Sequence, residues 1–473
     1  VRGIWTVAQV RAAEQQVMAG LPAGALMARA ARAIAVTACQ LLGFSYGARV
    51  LLLVGAGDNG ADALYAGAEL ARRGMAVQAV LGSAKADQAA LAAFRSAGGR
   101  VVELAAAQPA DLVIDGLVGI GARGPLREPM RPLVAWAEHR RVLAVDLPSG
   151  VDPDTGAVAG PAVRAELTVC MGALKPGLLV GRGREHAGEI RLIDIGITGA
   201  LPEPAAVQLE DADIAVRQPG PDDDKYTRGV VGVAAGSASY PGAALLCAGS
   251  ARLGGVGAVR YAGHAAAEVV RAYPEVVVTD TVAEAGRVQA WVVGPGLGSA
   301  EDALESLRTV LAAEVPVVVD ADGLNLLAER RELIERRTAA TVLTPHDREF
   351  QRLFGEVGED RMAAARRAAA EAGATVLLKG FATVVAEPDG RCYVNPTGHP
   401  ALATAGSGDV LAGLTGSLLA TGIEAGLAAA TAAYLHGRAA ARAARCGPVL
   451  AGGLVTALAA ELAPSVTIGT AGI

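Results

Sequence analysis

Short apolar runs rich in Val, Leu and Ile, ending in Gly, Asp or Pro, alternate with longer Ala-rich stretches of helical period along the whole chain. Continuous apolar runs suit parallel strands buried on both faces, and the stretches between them suit crossover helices. The pattern predicts strands at Arg49–Val54, Ala76–Leu81, Leu112–Asp115, Val142–Asp146 and Glu166–Cys170. It predicts a second set at Val230–Ala234, Trp291–Val293, Val315–Asp320, Thr341–Thr344, Thr375–Leu378 and Thr383–Ala386. The predicted fold class is α/β, with mainly parallel sheets layered between helices.

Between the two sets the periodicity stops. Pro202, Pro204, Pro219 and Pro221 lead into the acidic run Asp222-Asp223-Asp224, a composition that suits a linker or domain surface. Two domains, 1–209 and 210–473, are expected, in keeping with a length of 473 residues. The stretch Ala401–Ile423 is long enough to suggest a membrane span. It is built of small residues around Asp409, and a central Asp costs roughly 3 kcal/mol on insertion scales, so a buried helix with its approach loop is predicted instead. The start, Val1–Thr6, has no continuous apolar run, so no secretory signal is expected and a cytoplasmic location follows.

A formal charge of −6 argues against a nucleic-acid or anionic-membrane partner. Cys39, Cys170, Cys247, Cys392 and Cys446 are far apart and show neither zinc spacing nor a disulfide framework. Only Lys85, Lys175, Lys225 and Lys379 are lysines among 42 basic residues. In a chain that uses Arg almost everywhere, a retained lysine suggests a need for a compact point charge. Small, Ala-rich helices suggest subunit contacts, hence a homo-oligomer.

The densest chemistry lies in Asn395–Gly413, where Ala405-Gly406-Ser407-Gly408 runs into an apolar helix with Asp409 in its first turn. Free N–H groups and the dipole at a helix start hold phosphoryl oxygens, and a carboxylate there can take a proton from an attacking hydroxyl. This predicts phosphoryl transfer onto a small molecule. Other strand ends in this half also carry polar groups: Asp320-Ala-Asp322, Thr344-Pro-His346 and Lys379-Gly380. In the first half, Gly55-Ala-Gly57-Asp58-Asn59-Gly60-Ala61-Asp62 reads as a nucleotide-binding turn between strand and helix. Three further ends carry Asp115, Asp146 with Ser149, and Lys175.

Residues 1–200 resemble the NAD(P)HX epimerase family, whose Rossmann-like members carry Asn-Asn-Gly-Gly-Asp-Gly, Gly-Thr-Gly-Leu-Arg-Gly-Pro and Asp-Ile-Pro-Ser-Gly segments. The resemblance implies that Asp58, Asn59, Gly60, Ala61 and Asp62, with Gly119, Ile120, Gly121, Ala122, Arg123, Gly124 and Pro125, bind the hydrated nucleotide. It implies that Asn59, Asp115 and Ser149 ligate potassium and that Asp146 is the substrate-facing acid/base. This chain has Asp58, Ala61 and Ala63 where the pattern has Asn, Gly and Gly, and the alanines are expected to reshape the turn.

Residues 220–465 resemble the ribokinase-like NAD(P)HX dehydratase family in their Tyr-Pro-Gly-Ala, Gly-Pro-Gly-Leu-Gly, Asp-Ala-Asp, Leu-Thr-Pro-His, Leu-Lys-Gly and Ala-Gly-Ser-Gly-Asp segments. That resemblance implies a pocket for the hydrated nicotinamide at Val256, Gly298, His346 and Asp409. It places the adenine nucleotide, ADP or alternatively ATP, at Lys379, Gly380, Phe381, Ala382, Thr383 and Gly408. Magnesium should accompany the nucleotide. Asp409 would then deprotonate the hydroxyl for attack on the terminal phosphate. A hydroxymethylpyrimidine- or thiazole-type kinase is the alternative for the second half, and an inactive nucleotide-binding scaffold is the alternative for the first.

Overall fold

The structure, a computed structural model, describes residues 1–463 apart from 45, 122, 215 and 336. The chain forms two compact units: one is Gly3–Val207, and the other joins Val1–Arg2 to the chain from Gln208 onward.

The first unit is built on an all-parallel seven-stranded sheet. Its order in space is Arg100–Val101, Ala76–Leu81, Arg49–Val54, Leu112–Gly116, Val142–Val145, Leu167–Met171 and Glu189–Ile193. The direction of winding reverses between Arg49–Val54 and Leu112–Gly116. Doubly wound sheets bind ligands beyond the strand ends at such a point. Alternate residues of the central strands feed two cores, one on each face of the sheet. Leu52, Val54 and Ile114 pack with helices Ala25–Leu42 and Asp58–Arg72, whereas Leu51, Leu53 and Val113 pack with helix Met130–Ala137. Helix Ala25–Leu42 is long and apolar enough to cross a membrane by length and composition, and its inner face is committed to the first of these cores.

In the second unit the order is Cys392–Val394, Val384–Ala386, Thr375–Leu378, Thr341–Leu343, Val317–Val319, Ala290–Val293, Val230–Ala234, Ala258–Ala262 and Val277–Thr279. The strands from Thr375–Leu378 to Val277–Thr279 pair in parallel, and the two remaining pairings are antiparallel. Helix Ser407–Ala420 is buried on every side from Val410 onward, as a helix that is apolar all round must be. It packs against helix Pro241–Ala251 and over the central strands, so its polar first turn is held at the strand ends.

Every strand the pattern predicts is present, with ends moved by no more than two residues. Glu189–Ile193, Ala258–Ala262, Val277–Thr279 and Cys392–Val394 were not legible. They are short, and all four carry partly exposed or charged residues that interrupt the apolar run.

Candidate active sites

The first cavity, about 630 Å³, opens at the switch point of the N-terminal sheet. Asp58, Asn59, Asp62, Gly119, Ile120, Gly121 and Asp146 all line it. Gly60 and Ala61 are buried in the helix behind it. Arg123 is turned away into ion pairs with Asp152 and Asp154, while Gly124 and Pro125 lie outside the lining. Ala122 falls outside the described residues. The expected reshaping by alanine does not occur. Ala61 and Ala63 are helical residues of Asp58–Arg72, where an L side chain carries no strain, and both are buried in the core.

Asp146 is the most constrained group in this site. It follows strand Val142–Val145 with φ +65°, a region that costs a non-glycine residue energy and that tends to mark functional positions. Its Oδ1 accepts from Lys175 Nζ at 2.5 Å and from the Met171 N–H at 2.9 Å. Lys175 Nζ also donates to the Met171 carbonyl at 2.8 Å. Burial alone would discharge Lys175, but Asp146, Cys170 and Glu14 outweigh it and raise its pKa to about 12. The pair is therefore a buried Lys⁺–Asp⁻ with one carboxylate face toward the cavity.

Asp62 behaves oppositely. Burial, reinforced by Asp146, Asp58 and Glu14, pushes its pKa up to about 8, and its Oδ1 is buried with no hydrogen-bond partner. Burial also raises Glu14, partly offset by Lys175. Because Asp62 titrates near pH 4 when unfolded, its preference for the neutral form stabilises the fold at low pH and is lost as pH rises toward 8. Asp62→Asn should therefore gain on the order of 3 kcal/mol at pH 8 and nothing at pH 4. Unfolding temperatures of both proteins across that range check it, and an equal gain at both pH values would rule out the titration.

Asp115 and Ser149 lie beside this cavity, fully buried. Ser149 donates to Asp115 through its N–H at 2.8 Å and its Oγ at 2.7 Å, and Asn59 Nδ2 donates to the Val145 carbonyl at 2.6 Å. A Cβ at residue 119 would come within 2.3 Å of Asn59 Oδ1, so glycine is what lets the amide sit there. Burial pushes Asp115 up to about 6 against these hydrogen bonds, a cost that a nearby cation would relieve. The donors are carboxylate, hydroxyl and amide oxygens, a set suited to a hard cation.

The second cavity, about 840 Å³, lies at the start of helix Ser407–Ala420. His346, Lys379, Gly380, Phe381, Thr383, Gly408 and Asp409 line it, together with Asp320, Glu349, His399 and His436. Ala382 is buried beside it. Val256 is packed in the hydrophobic core, and the Gly298 N–H donates to Asp322 at 2.9 Å, so neither lines this cavity. Gly406 takes φ +85° to end the approach loop and start the helix; the Ser407 N–H bonds back to the Thr404 carbonyl at 3.3 Å, which leaves the N–H groups of Gly408 and Asp409 outside the helical ladder at the cavity. Burial and the adjacent Asp320 raise Asp409 to about 7, with Lys379 pulling the other way. Lys379 Nζ donates to Asp320 Oδ1 at 2.7 Å and lies 3.6 Å from Glu349. His346 caps helix Asp347–Phe354 through Nδ1, which accepts from the N–H groups of Arg348 and Glu349.

The sequence did not single out Glu14 or His436 as site residues. Each sits within a helix with no local motif, and only packing brings it to a cavity. Lys175 and Asp320 were visible as a rare lysine and a strand-end carboxylate, but their pairings were not. Among the described residues no three His, Cys, Asp or Glu side chains gather as a metal centre.

A doubly wound unit with polar groups at its switch point, joined to a mixed-sheet unit with a cavity at a Gly-rich helix start, defines a two-domain α/β nucleotide enzyme. Residues 231–461 match the family model of NAD(P)H-hydrate dehydratase, and residues 23–177 match that of the YjeF-related protein N-terminus. The chain is 50% identical over 440 residues to the bifunctional NAD(P)H-hydrate repair enzyme Nnr of Mycobacterium tuberculosis, covering 91% of this chain and 92% of that one. The Mycobacterium leprae enzyme of the same name is 50% identical over 451 residues, with 93% and 94% covered. A ribokinase-like superfamily protein of Enterococcus faecalis V583 shares the fold of the second half, with 25% identity, a TM-score of 0.51, and coverage of 55% of this chain and 95% of that one. The chain belongs to the family of bifunctional NAD(P)H-hydrate repair enzymes.

Proposed function

We propose that the second unit dehydrates (6S)-NAD(P)HX, using ADP as phosphoryl donor, and that the first unit feeds it by epimerising the R form to S. The observation that carries the reading is Asp409. It sits in the first turn of a helix whose N–H groups face the cavity, close enough to Lys379 to feel its charge, with a pKa of about 7. A carboxylate tuned to neutrality is suited to take the proton of the substrate's C6 hydroxyl as that oxygen attacks the terminal phosphorus. The helix start receives the transferring phosphoryl group. Phosphate then leaves C6, pushed by the ring nitrogen, and loss of a proton from C5 of the resulting iminium forms the C5=C6 double bond, giving NAD(P)H, AMP and phosphate. The residues assigned are His346 and Asp409 on the substrate, and Lys379, Gly380, Phe381, Thr383 and Gly408 on the nucleotide. Val256 and Gly298, which do not line this cavity, remain proposed substrate residues on the family resemblance alone. A magnesium ion carried on the phosphates would neutralise the charge on the transferring group.

In the first unit Asp146 is the proposed acid/base, with Lys175 holding it. Asn59, Asp115 and Ser149 would hold potassium, whose charge would steady the buried Asp115. The five free cysteines support a reducing cytoplasm. A homo-oligomeric state completes the reading.

Absorbance at 340 nm with mixed NADHX epimers, with and without ADP and ATP, tests the assignment. ADP-dependent recovery of most of the signal, after subtraction of spontaneous epimerisation, is the expected result. Recovery that stalls when the S form is consumed would make the first unit a scaffold. No recovery with either nucleotide would overturn the dehydratase reading, and accumulation of a stable phosphorylated product would favour a kinase.

A further inference from the structure

Two wall segments of the second cavity leave adjacent parallel strands. Thr341–Leu343 leads to His346 and Asp347, and Thr375–Leu378 leads to Lys379, Gly380 and Phe381. On the proposed reading the first segment meets the hydrated nicotinamide and the second meets the adenine nucleotide. Their separation fixes how the hydroxyl meets the phosphate. The helix that ends just before the second strand, Arg361–Ala372, begins with an arginine behind this wall and outside the cavity lining. Arg361 NH1 lies 2.9 Å from Asp347 Oδ1, and NH2 donates to the Lys379 carbonyl at 2.8 Å. The Lys379 N–H in turn donates to the Pro345 carbonyl at 2.8 Å. An ideal Cβ on residue 380 would stand 2.9 Å from Arg361 NH2, so the Gly of Lys379-Gly380 gives the guanidinium room to reach the loop. The Arg361 side chain is 14% exposed, whereas Asp347 is 62% exposed.

We infer that Arg361 is a positioning residue that holds the nucleotide loop in register with the His346–Asp347 segment. The inference rests on the proposed assignment of the two segments. It touches neither ligand; it acts through Asp347 on one side and the Lys379 backbone on the other. A planar fork can make both contacts at once, which a lysine ammonium on a flexible stem cannot do in the same geometry. Misplacement by about 1 Å can cost about 100-fold in turnover while binding largely persists.

The test uses the full chain with R361A, R361K and D347N, each checked by circular dichroism for its fold. Hydrogen exchange at the Lys379 amide needs no turnover, so it reads the register even if the chain proves to catalyse something else. Exchange should be faster in R361A and only partly restored in R361K. In the 340 nm assay with (6S)-NADHX and ADP, kcat should fall about 100-fold in R361A, with the ADP Kd from calorimetry raised about tenfold or less. The double variant R361A/D347N should be no worse than R361A alone, because the two changes remove one shared contact. Unchanged exchange at Lys379, or losses in the double variant that simply multiply, would overturn the inference. If R361A fails to fold, R361K and D347N carry the same comparison, and wild-type exchange and kcat in both would overturn it.

Discussion

Asp409→Asn will abolish ADP-dependent dehydration, by about 10³-fold or more, while ADP still binds within a few-fold of wild type. The amide is nearly isosteric, so the helix start proposed to receive the phosphate stays intact. What disappears is the acceptor for the hydroxyl proton. Stopped-time assays at 340 nm and calorimetry of ADP binding separate the two effects. The wild-type pH profile should agree. Burial and Asp320 raise Asp409 to about 7, so kcat/KM should climb with pH toward about 7 and then level, because the base works only when deprotonated. Near-normal turnover in Asp409→Asn would remove this carboxylate from the chemistry.

Lys175→Met will damage the first unit twice over. It leaves Asp146 as a buried charge with no cation, and breaking such a pair from one side costs about 3–5 kcal/mol. It also releases the carboxylate from the orientation fixed by Nζ, so epimerisation should drop by about 100-fold or more. The double variant Lys175→Met/Asp146→Asn distinguishes the two losses. Removing both charges should return most of the stability, helped by the tolerance of Asn for the φ of +65° at residue 146. Activity should stay lost, since Asp146 is the proposed acid/base group. Thermal unfolding and conversion of purified (6R)-NADHX read these separately. Recovery of epimerisation in the double variant would assign the chemistry elsewhere, with Asp62 the next group to examine.

The two sites differ in how much of them local sequence could reveal. The start of helix Ser407–Ala420 was legible because a glycine turn, a helix start and an acidic first-turn residue are all encoded within a few positions. Asp115 and Ser149 were reached through motif resemblance. Their mutual hydrogen bonds, which join two different strand ends, follow only from the strand order. The alanines at 61 and 63 were misjudged for a related reason: a Gly-rich segment read as a loop is the opening of a helix, where alanine is favourable.

The sequence by itself determined the type of most of the elements. Apolar runs with their Gly and Asp endings are local properties, and burial of each run needs only that some sheet form. It also determined which carboxylates and glycines stand at strand ends. Only the tertiary structure decided which of those ends meet. Sheet order placed Asp146 over Lys175 and Asp320 beside Lys379, and helix packing brought Glu14 and His436 to the cavities. The charge states followed from the same step. A carboxylate's pKa depends on how deeply it is buried and which charges face it, and both are fixed by segments distant in the chain. That is why Asp62 and Asp409, ordinary acids in sequence, become groups that titrate near neutrality only in the fold.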